Sequence, residues 1–302
     1  MMHIRSKLSA LALVAALPLP AQALNLFACE PEWASLAGVL APEAKISSAT
    51  HVYQDPHYIE ARPSLIARLR RADLAVCSGA ALEAGWLPAL QQRAANPDVQ
   101  PGQQGMLYVA QWVETIDKME SVSFGVGHVH PEGNPHLHLD PERMRQAGAV
   151  LSQRLAQLDP ERRDAYKVDY LRWSMQWEQK LADWKKRAEP LRGRKLVVQH
   201  TTFDYLWRWL GMDVVADLEP KPGVPPTPGH LATLVKQVEQ ERPLAIVHSW
   251  YQDPQSANWL SERTGVPVLS LPSTTAPDEG VVTPADLFEH LLQQLLELER
   301  AG

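Results

Sequence analysis

Two cysteines in a chain of 302 residues exclude a disulfide-dense scaffold and a four-thiolate zinc site. Positive charge is also in short supply. Twenty-nine Lys and Arg stand against 35 Asp and Glu, and a net charge of −6 gives no bulk attraction for nucleic acid or anionic lipid. Beyond the N-terminal stretch no apolar run is long enough to cross a bilayer, and no short-period repeat occurs. Low-complexity sequence is confined to the Pro-rich stretch Glu219–Pro228. What is present is a hydrophobic content of 45%, enough for a real core, and 11 histidines that cluster.

The first 23 residues read as an export address. Arg5 and Lys7 precede the apolar run Leu8–Leu19, and Ala21-Gln22-Ala23 is an A-x-A cleavage signal. The expected mature chain starts at Leu24 and belongs in the periplasm. Without the two basic residues of the leader, 27 basic residues face 35 acidic ones and the net charge becomes −8. A lipid anchor at Cys29 fits less well, because Phe27 is bulky and Asn25 interrupts the apolar run.

In the mature chain short apolar runs alternate with helical patterns, the signature of βαβ units. Strands are predicted at Leu24–Ala28, Lys45–Ser48, Leu74–Cys77 and Leu107–Ala110. Four more follow at Lys195–Gln199, Val214–Leu218, Leu244–His248 and Pro267–Leu271. Between the two sets, residues 160–188 contain no internal Gly or Pro and carry Trp173, Trp177 and Trp184 at helical spacing. Asp159 is a suitable N-cap and Pro160 a suitable first residue, so one helix of roughly 43 Å is expected. The fold class is α/β: two similar lobes with parallel sheets, residues 24–159 and 191–302, joined by a rigid helix over 160–190. A helix packed on one lobe only is the alternative.

Cys29 and Cys77 fall at the carboxyl ends of the first and third predicted strands. In a doubly wound sheet those strands are commonly neighbours about 4.8 Å apart, within disulfide reach. Two buried thiols, or a lipid on Cys29, are the other readings.

Four histidines lie within eleven residues: His128, His130, His136 and His138. Clustered imidazoles in an exported protein suggest a metal, with a solvated surface loop as the plain alternative. Others sit at predicted strand ends, His57 in the first half and His200 in the second, with Asp278 in the loop after the last strand. Ligands of open α/β sheets bind beyond the carboxyl ends of strands. His57, His136, His200 and Asp278 would then form a closed tetrahedral zinc set, with Glu279 the competing carboxylate. Residues 125–133 hold three glycines and little apolar anchorage, so this loop is expected to be mobile and accessory. Its His128 and His130, with His138 beside it, would collect zinc or receive it from a carrier protein.

Three segments, Asp55-Pro56-His57-Tyr58-Ile59-Glu60-Ala61-Arg62-Pro63-Ser64, Asn134-Pro135-His136-Leu137-His138-Leu139-Asp140-Pro141 and Gln199-His200-Thr201-Thr202-Phe203-Asp204-Tyr205, resemble the metal-binding proteins of zinc- and manganese-type ABC importers. This TroA/ZnuA-like resemblance covers essentially the whole mature chain. It implies two α/β lobes bridged by a long helix, with the metal between them on His57, His136, His200 and Asp278. It also implies a monomer that captures Zn2+ and delivers it to a membrane permease, with no catalysis. Histidine at position 200, where manganese-binding members resemble a carboxylate, favours Zn2+ over Mn2+. Relatives often carry a long His- and acid-rich insertion before the Asn-Pro-His segment; here only a short loop remains. A zinc hydrolase and a metal-binding surface adhesin are the competing readings. A hydrolase needs an open metal position that four protein ligands do not leave.

Overall fold

The computed structural model describes residues 23–119 and 130–301. The expected leader up to residue 22, His128 and most of the 125–133 loop lie outside them.

Proline explains where many helices begin. Pro31, Pro63, Pro141, Pro228 and Pro284 are the first residues of α1 (Pro31–Leu40), α2 (Pro63–Arg70), α4 (Pro141–Leu158), α7 (Pro228–Glu241) and α9 (Pro284–Ala301). A first-turn proline gives up an N–H that has no helical partner there, and its fixed φ suits the helix. Asp140 caps α4 by accepting the Glu142 N–H at 2.8 Å, and the Thr227 hydroxyl caps α7 from the His230 N–H at 3.2 Å.

The first sheet has β1 (Asn25–Ala28), β2 (Lys45–Ser48), β3 (Leu74–Cys77) and β4 (Met106–Tyr108), all parallel, in the order β2-β1-β3-β4. β5 (Lys195–Val198), β6 (Asp213–Asp217), β7 (Ala245–Ser249) and β8 (Val268–Leu271) repeat the arrangement as β6-β5-β7-β8. The remaining helices, α3 (Leu87–Ala94), α6 (Asp204–Leu210) and α8 (Gln255–Thr264), are crossover connections in these sheets. Pairing of β1 with β3 brings Cys29 and Cys77 together in a disulfide with a Cα–Cα distance of 4.8 Å.

Between the sheets runs α5 (Arg163–Arg187), 25 residues long and so about 37 Å. The predicted start differs. Pro160–Arg162 forms a separate 3-10 turn, and the Asp159 carboxylate accepts the Tyr166 hydroxyl at 2.9 Å instead of capping the helix. One continuous core includes Leu26, Val76 and Trp33 of the first lobe, Trp177 and Trp184 of α5, and Val198, Val247 and Leu291 of the second. The helix therefore packs on both lobes. Trp177 donates its indole N–H to the Pro141 carbonyl at 2.8 Å, and Trp184 donates to Glu289 at 2.9 Å. At Gly148 a Cβ would stand 2.2 Å from the Trp173 ring, so glycine is what lets α4 and α5 approach.

Candidate metal centre

The carboxyl ends of the strands of both sheets face each other across the lobes, and three imidazoles meet there. One ligand nitrogen from each of His57, His136 and His200 lies within 4.8 Å of the other two, and all three residues are buried. Their rings form a near-regular triangle, with centroids 6.0, 6.2 and 6.5 Å apart.

Each ring is held from behind. In the loop after β2, the Asp55 carboxylate accepts the His57 N–H at 3.0 Å and sits 2.7 Å from His57 Nδ1. His200 stands two residues past the end of β5, and its Nδ1 is 2.8 Å from Glu219 Oε2. An acceptor at Nδ1 holds the proton there and turns the Nε2 lone pair outward, the outer-shell arrangement that serves metal-bound histidine. His136 is fixed through its backbone. Asn134 Oδ1 accepts the His136 N–H at 2.9 Å, while Asn134 Nδ2 donates across the lobes to the Thr201 carbonyl at 2.8 Å. The Asn-Pro-His segment thus ties its own histidine to the segment that bears His200.

Backbone and charge mark the same place. His200 has φ 82° and ψ 159°, a region that L residues rarely enter and that is retained mainly at functional sites. Burial, then the neighbouring imidazoles, pushes His136 well below the usual histidine range. Burial also pulls on His200, but the Glu219 carboxylate outweighs it and raises His200 above that range. Asp55 is raised by burial, yet its bond to His57 prevails and leaves it below its ordinary value.

The fourth position differs from expectation. Asp278 does not join the three imidazoles; it is exposed at the tip of a turn. Ala276 and Val281 exchange backbone hydrogen bonds of 2.8 and 3.0 Å, and Gly280 at φ 81° closes the turn, so Pro277–Glu279 points outward. Glu279 is drawn off as well, accepting the Tyr53 hydroxyl at 2.7 Å. His138, expected among the accessory metal groups, ties the lobes instead. Its Nε2 is 2.7 Å from the Ser273 carbonyl oxygen and its Nδ1 is 3.1 Å from Glu32 Oε1. His130 lies beside one corner of the triangle, with its Nε2 3.2 Å from His57 Nε2.

The sequence reading passed over Asp55, Glu219 and Asn134. Asp55 and Asn134 each stand two residues before a histidine of the triangle and bond its N–H, a local signal that was available. Glu219, in the Pro-rich loop, offered none. A cleft of about 240 Å³ leads to His57 and His200, and among the described residues its walls carry Asp55, Glu219 and Asp253 but no lysine or arginine.

A second group of possible ligands among the described residues, Cys29, Cys77 and Glu83, has its two sulfurs joined to each other. Beside the disulfide, Glu30 and Glu83 are both buried. Burial first, then the charges of Glu83 and Glu32, raises Glu30 well above the usual carboxyl range, and burial pushes Glu83 up to about 7. A carboxyl raised by folding contributes full stability below its unfolded value, near 4.5, and loses it as pH climbs through the folded value. Glu30→Gln supplies an amide donor to Glu83. At pH 8 it is expected to stabilise the metal-free protein by about 1–3 kcal/mol over the parent, and at pH 5 to match it. Calorimetric melts at both pH values check this, and an equal loss at both would exclude titration of these carboxyls as the cause.

Comparison with known proteins agrees with this geometry. The family model described as "ZnuA: Zinc-uptake complex component A periplasmic" matches residues 27–298. The high-affinity zinc uptake system protein ZnuA of Yersinia pestis is 23% identical over 252 residues, covering 80% of this chain and 78% of that protein. A ZnuA crystal structure superposes with a TM-score of 0.76 at 19% identity, covering 92% of this chain and 100% of that one. FpvC from Pseudomonas aeruginosa, in complex with Mn2+, superposes at 0.72 and 18% identity over 93% of this chain and 100% of its own. With two parallel-sheet lobes, a long joining helix and a family match over residues 27–298, the chain belongs to the ZnuA family of periplasmic zinc-uptake components.

Proposed function

We propose that this protein captures Zn2+ in the periplasm on His57, His136 and His200 and delivers it to the membrane permease of an ABC importer. The observation that carries the reading is the buried imidazole triangle, with Asp55 and Glu219 behind two of its rings. Nitrogen donors suit Zn2+ better than Mn2+, which prefers oxygen. Asp55, Glu219 and Asp253 in the lining of the cleft favour approach of a cation. Both carboxylates nearest the rings orient ligands, which suits binding and release more than hydrolysis. The chain acts as an exported monomer cleaved after Ala23, and a periplasmic carrier protein is a fitting zinc donor for it. The relatives' names, a zinc uptake protein and a zinc-uptake complex component, support this assignment.

Competition of the metal-free protein against a chelator, with Zn2+ and Mn2+ in separate titrations, tests the capture step. One Zn2+ per chain, bound well ahead of Mn2+, is expected; preference for Mn2+ would overturn the cargo. For delivery, the zinc-loaded protein should stimulate ATP hydrolysis by the permease in lipid nanodiscs, and no stimulation would overturn that step.

Metal should change the shape little. The shared core and α5 hold the lobes together whether or not a cation bridges them. Small-angle scattering should give the same radius of gyration with and without zinc, and a hinge-like contraction would contradict this.

A further inference from the structure

The first lobe buries a second set of metal-capable groups, none of which belongs to the imidazole triangle. Cys29 directly follows β1, Cys77 ends β3, and Glu83 lies between β3 and α3. Their two sulfurs and a carboxylate oxygen all lie within 4.8 Å of one another, and all three residues are buried. Glu30, next in sequence to Cys29, is buried with them and shares a hydrogen bond with the Glu83 carboxyl. The donors around this carboxyl pair are neutral. The Gly79 N–H donates to Glu83 at 3.1 Å, and the Ser78 N–H and hydroxyl each donate to Glu30 at 3.3 Å. Phe27, Trp86 and Leu90 enclose both cysteines in one apolar cluster. Adjacent buried carboxyls in such a setting are costly unless a proton or a cation balances them.

With the sulfurs joined, the set offers no thiolate. Reduction changes its chemistry. A dithiol passes two electrons and two protons to the Cys29–Cys77 bond, becomes a disulfide itself and leaves two thiols in the lobe. Rotation about the Cα–Cβ bonds then parts the sulfurs to about 3.8 Å, one edge of a tetrahedron with Zn–S bonds of ~2.3 Å. A cation that enters displaces both thiol protons to solvent and takes two thiolates and the Glu83 carboxylate, with Glu30 beside it for the fourth position. A cleft of about 210 Å³, lined in part by Gly79, Tyr108 and Glu132, reaches Glu83 and gives the path inward.

We propose that reduction of the Cys29–Cys77 disulfide opens a second metal site, in which Cys29, Cys77, Glu83 and Glu30 hold a thiophilic divalent cation such as Zn2+ or Cd2+. The disulfide closes that site, so the oxidised chain keeps the triangle alone. Thiolate donors select soft and borderline cations over Mn2+ and Mg2+.

Equilibrium dialysis against Zn2+, with cadmium–thiolate charge-transfer absorption as a second readout, tests this in the variant with His57, His136 and His200 all changed to Ala. Oxidised, that variant should bind no zinc. Reduced with a dithiol that is then removed under argon, it should bind one zinc per chain and show the cadmium band. Adding Glu83→Gln should weaken this binding about 100-fold, the share of one ligand. Adding Cys29→Ser, which also lacks the disulfide, should abolish the cadmium band, so loss of the cross-link alone does not make the site. Circular dichroism follows the fold in each sample. A reduced chain that binds no cation, a disulfide that cannot be reduced while the chain stays folded, or equal binding with Glu83→Gln would overturn the proposal. In the parent, one zinc when oxidised and two when reduced are expected. None when oxidised and one when reduced would overturn capture at the triangle and leave the second site standing.

Discussion

His136→Ala is expected to weaken zinc binding by about 100- to 1,000-fold, as read by chelator competition. Tetrahedral zinc sites are worth about 10–16 kcal/mol, so each ligand accounts for roughly 3 kcal/mol or more, and every 1.4 kcal/mol is tenfold. His136 should sit at the upper end. It is buried at one corner of the triangle and, through Asn134, is fixed to the segment that carries His200. Burial keeps its ring neutral and ready to ligate. His57→Ala and His200→Ala should each lose a similar amount. A variant that binds within a few-fold of the parent would remove that residue from the site. The metal-free variants should still fold, because none of the three rings is a large part of the apolar core.

Trp177→Ala should have the largest effect on stability, about 3–5 kcal/mol, and lower the melting temperature by roughly 10 °C. Trp177 is fully buried, with ring centroids 5.1 Å from Trp173, 5.3 Å from Trp184 and 5.6 Å from Phe288. Its removal leaves a cavity and takes the indole donor from the Pro141 carbonyl. Because the core runs through both lobes, the parent should melt in one calorimetric transition. Two separate transitions would mean that α5 does not unite the lobes. Below its melting point the variant should still bind zinc well, since the imidazoles stand at the strand ends and not on α5.

Local pattern made most of the architecture legible. Alternating apolar runs placed Lys45–Ser48 and Leu74–Cys77 at their observed limits, because both are short strands bounded by turns. The parallel order that follows from such units put β1 beside β3 and so paired Cys29 with Cys77. His57, His136 and His200 were visible because each stands in a distinctive segment at or near a strand end. What escaped depends on contacts between distant parts of the chain. His138 looks like a second His136 in sequence, yet the 3-10 turn Leu137–Leu139 sends its ring toward Glu32 and Ser273. Asp278 looked available until the Ala276–Val281 pairing turned it out to solvent. Nothing near Asp159 in sequence says that the Tyr166 hydroxyl will take its carboxylate. His130 reads as part of its loop, and only its contacts with Ala80 and His57 bring it beside the triangle.

The central claim is that one Zn2+ per chain is held by the imidazoles between the lobes. Metal analysis of the protein as isolated from the periplasm of cells that express it, beside a variant with His57, His136 and His200 all changed to Ala, tests it most directly. The account predicts one zinc per parent chain and none in the triple variant. Another metal in the parent, or equal zinc in both proteins, would contradict it.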